Sequence, residues 1–178
     1  MAERVSLSPD TPDFAEVADF YADTERSIRH YYASPIIGTL DPKFIGYSQQ
    51  DLNDERDQHL FTLDQTCAFT VLAALEARFR TDFYLRCSQR LKDDLSRHFR
   101  NLHRNRGNKI SFEEDILEGW KVHCPTVKSV LSQLKAAINY RHWFAHGRYY
   151  TPKLGKKYDF FSVYNLAQLI EQNLSFAT

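Results

Sequence analysis

The sequence predicts an all-α protein, an antiparallel bundle of four to six helices. Three observations carry this expectation. Apolar residues recur at spacings of three and four through most of the chain, the period of a helix with one buried face. No stretch alternates apolar and polar residues over more than a few positions, as a half-buried strand would. Proline and glycine fall in a few places and leave long uninterrupted segments between them.

The elements follow in order. A first helix is expected from about Asp13 to Tyr32, then a loop through SPIIGTLDPKFIGYS. Residues 1–50 thus form an acidic N-terminal helix and loop, either an appended arm or an integral part of the bundle. Residues 51–178 form the main helical domain. Its long helical stretch places Leu60, Leu63, Cys67, Val71, Leu75 and Phe79 at spacings of three and four. Phe83, Cys87, Leu91, Leu95 and Phe99 continue it strictly in fours. A spacing of four drifts around a helix, so a bend or break is expected near Ser88–Asp94. Gly107, in NRGNK, suits the end of that second part. Ser111-x-x-Glu114 reads as a capping box that starts a short helix through Trp120. Pro125 suits a first helical turn, and from it a helix runs through TVKSVLSQLKAAINYRHWFA to near Gly147. The last helix, FSVYNLAQLIEQNL, puts Val163, Leu166, Ala167, Ile170 and Leu174 on one face.

Composition narrows the class. At 178 residues the chain suits one domain, and 43% hydrophobic with 26% charged residues excludes a disordered tract. Cys67, Cys87 and Cys124 are scattered, with no C-x-x-C pair, which excludes a zinc ribbon and favours reduced thiols. The start MAERVSLSPD lacks the pattern of a signal peptide, and the most apolar run, CAFTVLAALEA, falls short of the roughly 20 residues of a membrane span. A soluble, cytoplasmic protein is therefore expected. The net charge of zero hides an uneven distribution: residues 1–77 carry −9 and residues 78–109 carry +7. Arg97, Arg100, Arg104 and Arg106, with His98 and His103, are the densest part of the basic segment, which reads either as a solvated helix face or as an RNA-backbone groove. A second basic-aromatic patch joins Arg148, Lys153, Lys156 and Lys157 to Tyr149, Tyr150 and Tyr158, suited to base stacking or to packing at a bundle end.

The stretch NYRHWFAHGRYY, Asn139–Tyr150, concentrates two arginines and two histidines. On a helical wheel with Val127 at zero, Val130, Leu131, Leu134 and Ile138 fall within about 60° of zero and define the buried face. Arg141 falls near about −40°, inside that face, and His142 at its edge, near about +60°. A buried guanidinium cannot shed its charge and is costly without partners. Arg141 therefore either pairs with a carboxylate such as Glu76 or meets an anion at a cleft or subunit interface. Trp143 and Phe144 read as packing residues. His142 and His146 also have metal-ligand spacing, but a zinc site needs a third ligand, for which His123 and Cys124 are the nearest in sequence. No acidic residue interleaves as in H-E-x-x-H, so the metal reading is the weaker one and no cofactor is expected.

Arg141-His142-Trp143-Phe144-Ala145-His146 resembles the R-x4-6-H motif of the HEPN superfamily (higher eukaryotes and prokaryotes nucleotide-binding). The His following the arginine, the A-H-G of Ala145, His146 and Gly147, the apolar approach VLSQLKAAINYR and the amphipathic helix that follows all fit the likeness, which spans about residues 55–174. The resemblance implies a HEPN-like bundle and a metal-independent endoribonuclease, active as a homodimer through the helix carrying Arg141 and His146. It implies RNA as substrate and a toxin or anti-phage defence role, with an antitoxin protein as a further partner. Catalytically inactive relatives act as nucleotide- or partner-binding modules, which is the alternative. Some members place an acidic residue on the early long helix to orient the motif; Glu76 matches, although it also stands four residues before Arg80 and could simply pair with it. Members paired with nucleotidyltransferase antitoxins often carry a tyrosine two residues past the histidine, where this chain has Arg148.

The chemistry suits the residue types. Cleavage through the 2′-hydroxyl needs a base, an acid and a cation on the phosphate. Histidine titrates near neutrality and arginine binds two phosphate oxygens with its planar fork. His146 is the expected acid/base, Arg141 the phosphate ligand, and His142 the second proton-transfer or orienting group.

Overall fold

The computed structural model describes residues 12–37, 41–148, 151 and 157–177, except for the side chains of 34–37 and 108. Among these residues there is no strand, and the chain forms six α-helices joined by short 3₁₀ and π turns. They are α1 (Phe14–Ile37), α2 (Gln49–Ser88), α3 (Asp94–Arg106), α4 (Glu118–His123), α5 (Lys128–Ala145) and α6 (Phe160–Asn173).

The 40-residue α2 organises the rest, spanning about 60 Å at 1.5 Å per residue. It starts in a reciprocal capping box: Asp51 N donates to Ser48 Oγ at 3.2 Å, and Ser48 N donates back to the Asp51 carboxylate at 2.8 Å. Its buried residues drift around the helix from Leu63 through Cys67, Val71 and Leu75 to Phe79 and Phe83. A drifting stripe cannot face one partner only, and α2 packs in turn against α1, α5, α6 and α3. One stretch of α2 is long and apolar enough to match a membrane span by composition. Its central residues Ala68, Val71, Leu72 and Leu75 are fully buried by the neighbouring helices, as in the core helix of a bundle.

The break expected near Ser88–Asp94 is present. α2 ends at Ser88, Arg90 turns the chain with a positive φ of 54°, and Asp93 caps α3 by accepting from Ser96 N at 2.9 Å. Gly107 ends α3 with φ 54°, a conformation that favours glycine. Two expectations need correction at the element ends. The first helix runs to Ile37, past Pro35, rather than stopping at Tyr32. At Ser111 the expected capping box is only half formed. Ser111 Oγ accepts from Glu114 N, but the carboxylate that returns to Ser111 N is Asp115, at 2.8 Å. The cause is a π turn, Phe112–Leu117, in which Ile116 N reaches back to Ser111 O. The wider turn brings the fourth residue, not the third, over the cap.

The acidic N-terminal region is packed into the bundle where it is described. Val17 and Tyr21 of α1 are buried in the main core, and Tyr21 stacks on Phe160 of α6 at 4.2 Å. The C-terminal half of α5 carries buried Leu134, Ala137, Ile138 and Tyr140 against α2 and α6, and so fixes the position of the residues that follow.

Candidate active site at the end of α5

The last turn of α5 bears Arg141 and His142; His146 caps the helix as the first residue after it. Arg141 does lie on the buried side, with its side chain about one quarter (26%) exposed. Its Nη1 stands 3.1 Å from Glu76 Oε2, and its guanidinium lies 5.8 Å from the Phe69 ring centre. The same Glu76 carboxylate accepts Arg80 Nε on Oε1 at 2.9 Å. Of the three partners the sequence offers Glu76, Arg141 and Arg80 are met and one carboxylate bridges two arginines, whereas His142 lies nearest Glu113 instead. The Arg141 contact is electrostatic rather than an aligned hydrogen bond: among the described residues, Arg141 Nε and Glu76 Oε2 are buried without a hydrogen-bond partner.

His142 is half exposed, and its Nδ1 lies 3.8 Å from Glu113 Oε1 in the π turn. His146 is exposed, with its backbone N–H on His142 O at 3.0 Å. Glu113 and Phe69 were not singled out in the sequence, since their contacts with α5 join residues far apart in the chain. Trp143 and Phe144 pack partly against the core, Phe144 with its ring 5.3 Å from Phe69.

The remaining basic residues divide sharply. Arg148 has a positive φ of 56°; its side chain donates to Gln65 of α2 and lies over the Phe144 ring at 4.6 Å. Arg100 donates to Leu91 O at 2.6 Å and so satisfies a carbonyl beyond the end of α2. Arg106 binds both oxygens of buried Asp115, at 2.7 and 2.9 Å, and ties α3 to the π turn. Arg97 is exposed and pairs with Asp94 at 3.2 Å. Arg104 is exposed and has no ion pair among the described residues. Most of the +7 of residues 78–109 is thus engaged within the fold, including Arg86, which is buried between Asp82, Asp93 and Ser96. Of the second basic-aromatic patch, Tyr149, Tyr150, Lys153 and Lys156 lie outside the described residues, while Tyr158 is buried and stacks on Tyr140 at 5.7 Å.

Other chemistries fit less well. His123 and Cys124 precede α5, so roughly 20 Å of helix separates them from His142 and His146. They cannot complete a metal set with those histidines, and among the described residues no three potential ligands cluster elsewhere. Burial pushes the thiols of Cys67 and Cys87 up to about 11, which keeps them protonated and poor nucleophiles. No protein-family model, curated protein or solved structure matches the chain.

Proposed function

We propose that the chain is a metal-independent endoribonuclease of the HEPN type, acting as a cytoplasmic homodimer in a toxin or defence role. The observation that supports this reading best is Arg141 itself. It occupies an apolar-face position at the end of α5, braced by Glu76 but with Nε unpaired, beside a half-exposed and an exposed histidine. A purely structural ion pair would be expected to use its donors fully. Nε itself is closed to solvent, so it is the partly exposed remainder of the guanidinium, held in place by Glu76, that is suited to receive a phosphate.

In this reading a base removes the 2′-hydroxyl proton, the 2′-oxygen attacks phosphorus, and the bond to the 5′-oxygen breaks. His146 is the exposed acid/base and Arg141 neutralises the charge that builds on the phosphate. His142, steadied by Glu113, supplies the second proton-transfer or orienting group. The products carry a 2′,3′-cyclic phosphate and a 5′-hydroxyl. Arg141 and His146 stand about 140° apart around the helical wheel, so within one chain their side chains diverge. A two-fold axis beside α5 would set the arginine of one copy near the histidine of the other, which is the physical case for a dimer.

The test is incubation of the pure chain with structured RNA in EDTA. The expected result is cleavage with those end groups, reduced at least about 100-fold by Arg141→Ala and by His146→Ala with helicity unchanged. Cleavage that survives both substitutions overturns the assignment.

A further inference from the structure

After α6 the chain turns extended at Leu174 and lays Ser175, Phe176 and Ala177 across α2 and α4. Arg86 Nη2 donates to Ser175 O at 2.7 Å, and Ala177 N donates to Asp82 Oδ1 at 2.7 Å. Between these anchors the Phe176 ring stands edge-on to Phe79 at 5.0 Å, beside Trp120 at 5.7 Å, with the Arg78 guanidinium 5.2 Å from its centre.

We propose that this cleft is a binding site for a short linear segment of the pattern small–aromatic–small, filled in cis by the chain's own tail and open to an equivalent segment of another protein. Three features distinguish it from ordinary tail packing. Recognition on both sides of the ring uses main-chain atoms, so it fits any extended segment and leaves selectivity to the aromatic pocket. The receptor groups are arranged without the tail: Arg86 Nε binds both oxygens of Asp82 at 2.8 and 2.9 Å, and its Nη1 binds Asp93 and Ser96, each at 3.2 Å. Beyond Leu174, which is buried in the core, the tail's described hold on the cleft is one ring and two hydrogen bonds, and Phe176 remains partly exposed.

The cleft also extends beyond its present occupant. A cavity of about 380 Å³ opens beside Ser175, lined by Asp93, Asp94, His123 and Thr126. A segment with a longer, basic side chain in place of Ser175 would reach the two carboxylates there. Asp82 is buried at 1% exposure, and when the tail leaves both its oxygens keep Arg86 Nε, so Oδ1 loses only its second donor and the receptor carboxylate stays paired.

The experiment uses the full chain with Phe176→Ala and a fluorescein-labelled peptide, Leu-Ser-Phe-Ala-Thr, read by anisotropy. The folded variant should bind the peptide saturably, and the unaltered chain at least tenfold more weakly, because its tail occupies the cleft for most of the time. The peptide with Ala for Phe should not bind. Absence of saturable binding to the folded variant, or equal binding to both chains, overturns the proposal. If Phe176→Ala does not fold, hydrogen exchange on the unaltered chain decides: an Ala177 amide that opens orders of magnitude more readily than the amides of central α2 supports a separable segment, and equal protection overturns it.

Discussion

Glu76 joins Arg80 and Arg141: its Oε1 takes Arg80 Nε at 2.9 Å, and its Oε2 faces Arg141 Nη1 at 3.1 Å. One carboxylate, 15% exposed, thus balances two guanidiniums from different helices. Removing it leaves two like charges near each other, Arg141 26% and Arg80 38% exposed and so only partly screened by water. Glu76→Ala should cost about 2 kcal/mol in urea unfolding, more than a surface pair would. Adding Arg141→Met should recover part of that loss, so the double variant falls short of the sum of the singles. Strict additivity would show that Glu76 does not hold Arg141.

The arginines of α3 should separate into two groups by experiment. Arg104 is exposed and without an ion pair among the described residues, so Arg104→Ala should leave stability within about 0.5 kcal/mol. If RNA crosses this face, the same change should weaken RNA binding and lower the salt slope by about 1. Arg100 and Arg106 serve the fold, through Leu91 O and the Asp115 carboxylate. Each of their alanine variants should lose about 1–2 kcal/mol of stability. Urea midpoints and RNA binding titrated against salt check both statements.

Which features were legible follows from how local their causes are. The break at Ser88–Asp94 was readable because apolar residues four apart drift around a helix, and the drift had to be resolved by a turn. Gly107 marked an end because its φ favours glycine. Arg141 was visible as a charge on an apolar stripe, and Glu76 as a carboxylate on the facing helix. The Glu113–His142 contact was not legible, since it joins α5 to a π turn that no local pattern announced. The same turn moved the return cap from Glu114 to Asp115. The sum over the basic segment does not show how its charges are used: Arg86, Arg100 and Arg106 find acceptors 4 to 89 residues away, several of them backbone carbonyls or carboxylates outside the segment.

The cap of α6 predicts a pH dependence of definite sign. Ser162 N donates to Asp159 Oδ1 at 2.8 Å, and this backbone bond, ahead of the Ser162 hydroxyl and nearby Lys157, holds the Asp159 carboxyl below its ordinary value. A carboxyl depressed in the folded state contributes stability that is complete above its unfolded value, about 3.9, and is lost as pH falls through the lower folded value. Asp159→Ala should therefore cost about 1 kcal/mol at neutral pH, and the difference from the unaltered chain should shrink below about pH 3. Asp159→Asn keeps an N-cap acceptor without the charge, so its stability should lack this acid-dependent component. Urea midpoints of the three chains at neutral and acidic pH measure it.

At Gly119 α4 lies against the side chains of α3. A Cβ built there would lie 2.6 Å from Phe99 Cε1 and 3.2 Å from His98 Cδ2. Alanine ordinarily favours a helix over glycine by about 1 kcal/mol. Here that gain should be outweighed, because Phe99 is fully buried and packed against Phe83 at 5.0 Å, so a shift of its ring disturbs the core. Overpacking of this kind costs about 1–3 kcal/mol beyond the propensity gain, so Gly119→Ala should be a net loss. Coupling it to Phe99→Leu should reduce the penalty, since the shorter side chain vacates the position of Cε1. A neutral or stabilising Gly119→Ala would mean that the α3–α4 contact is looser than the 2.6 Å approach requires. His98, half-buried at the same contact with its ring 5.0 Å from His123, would then be free to shift with it.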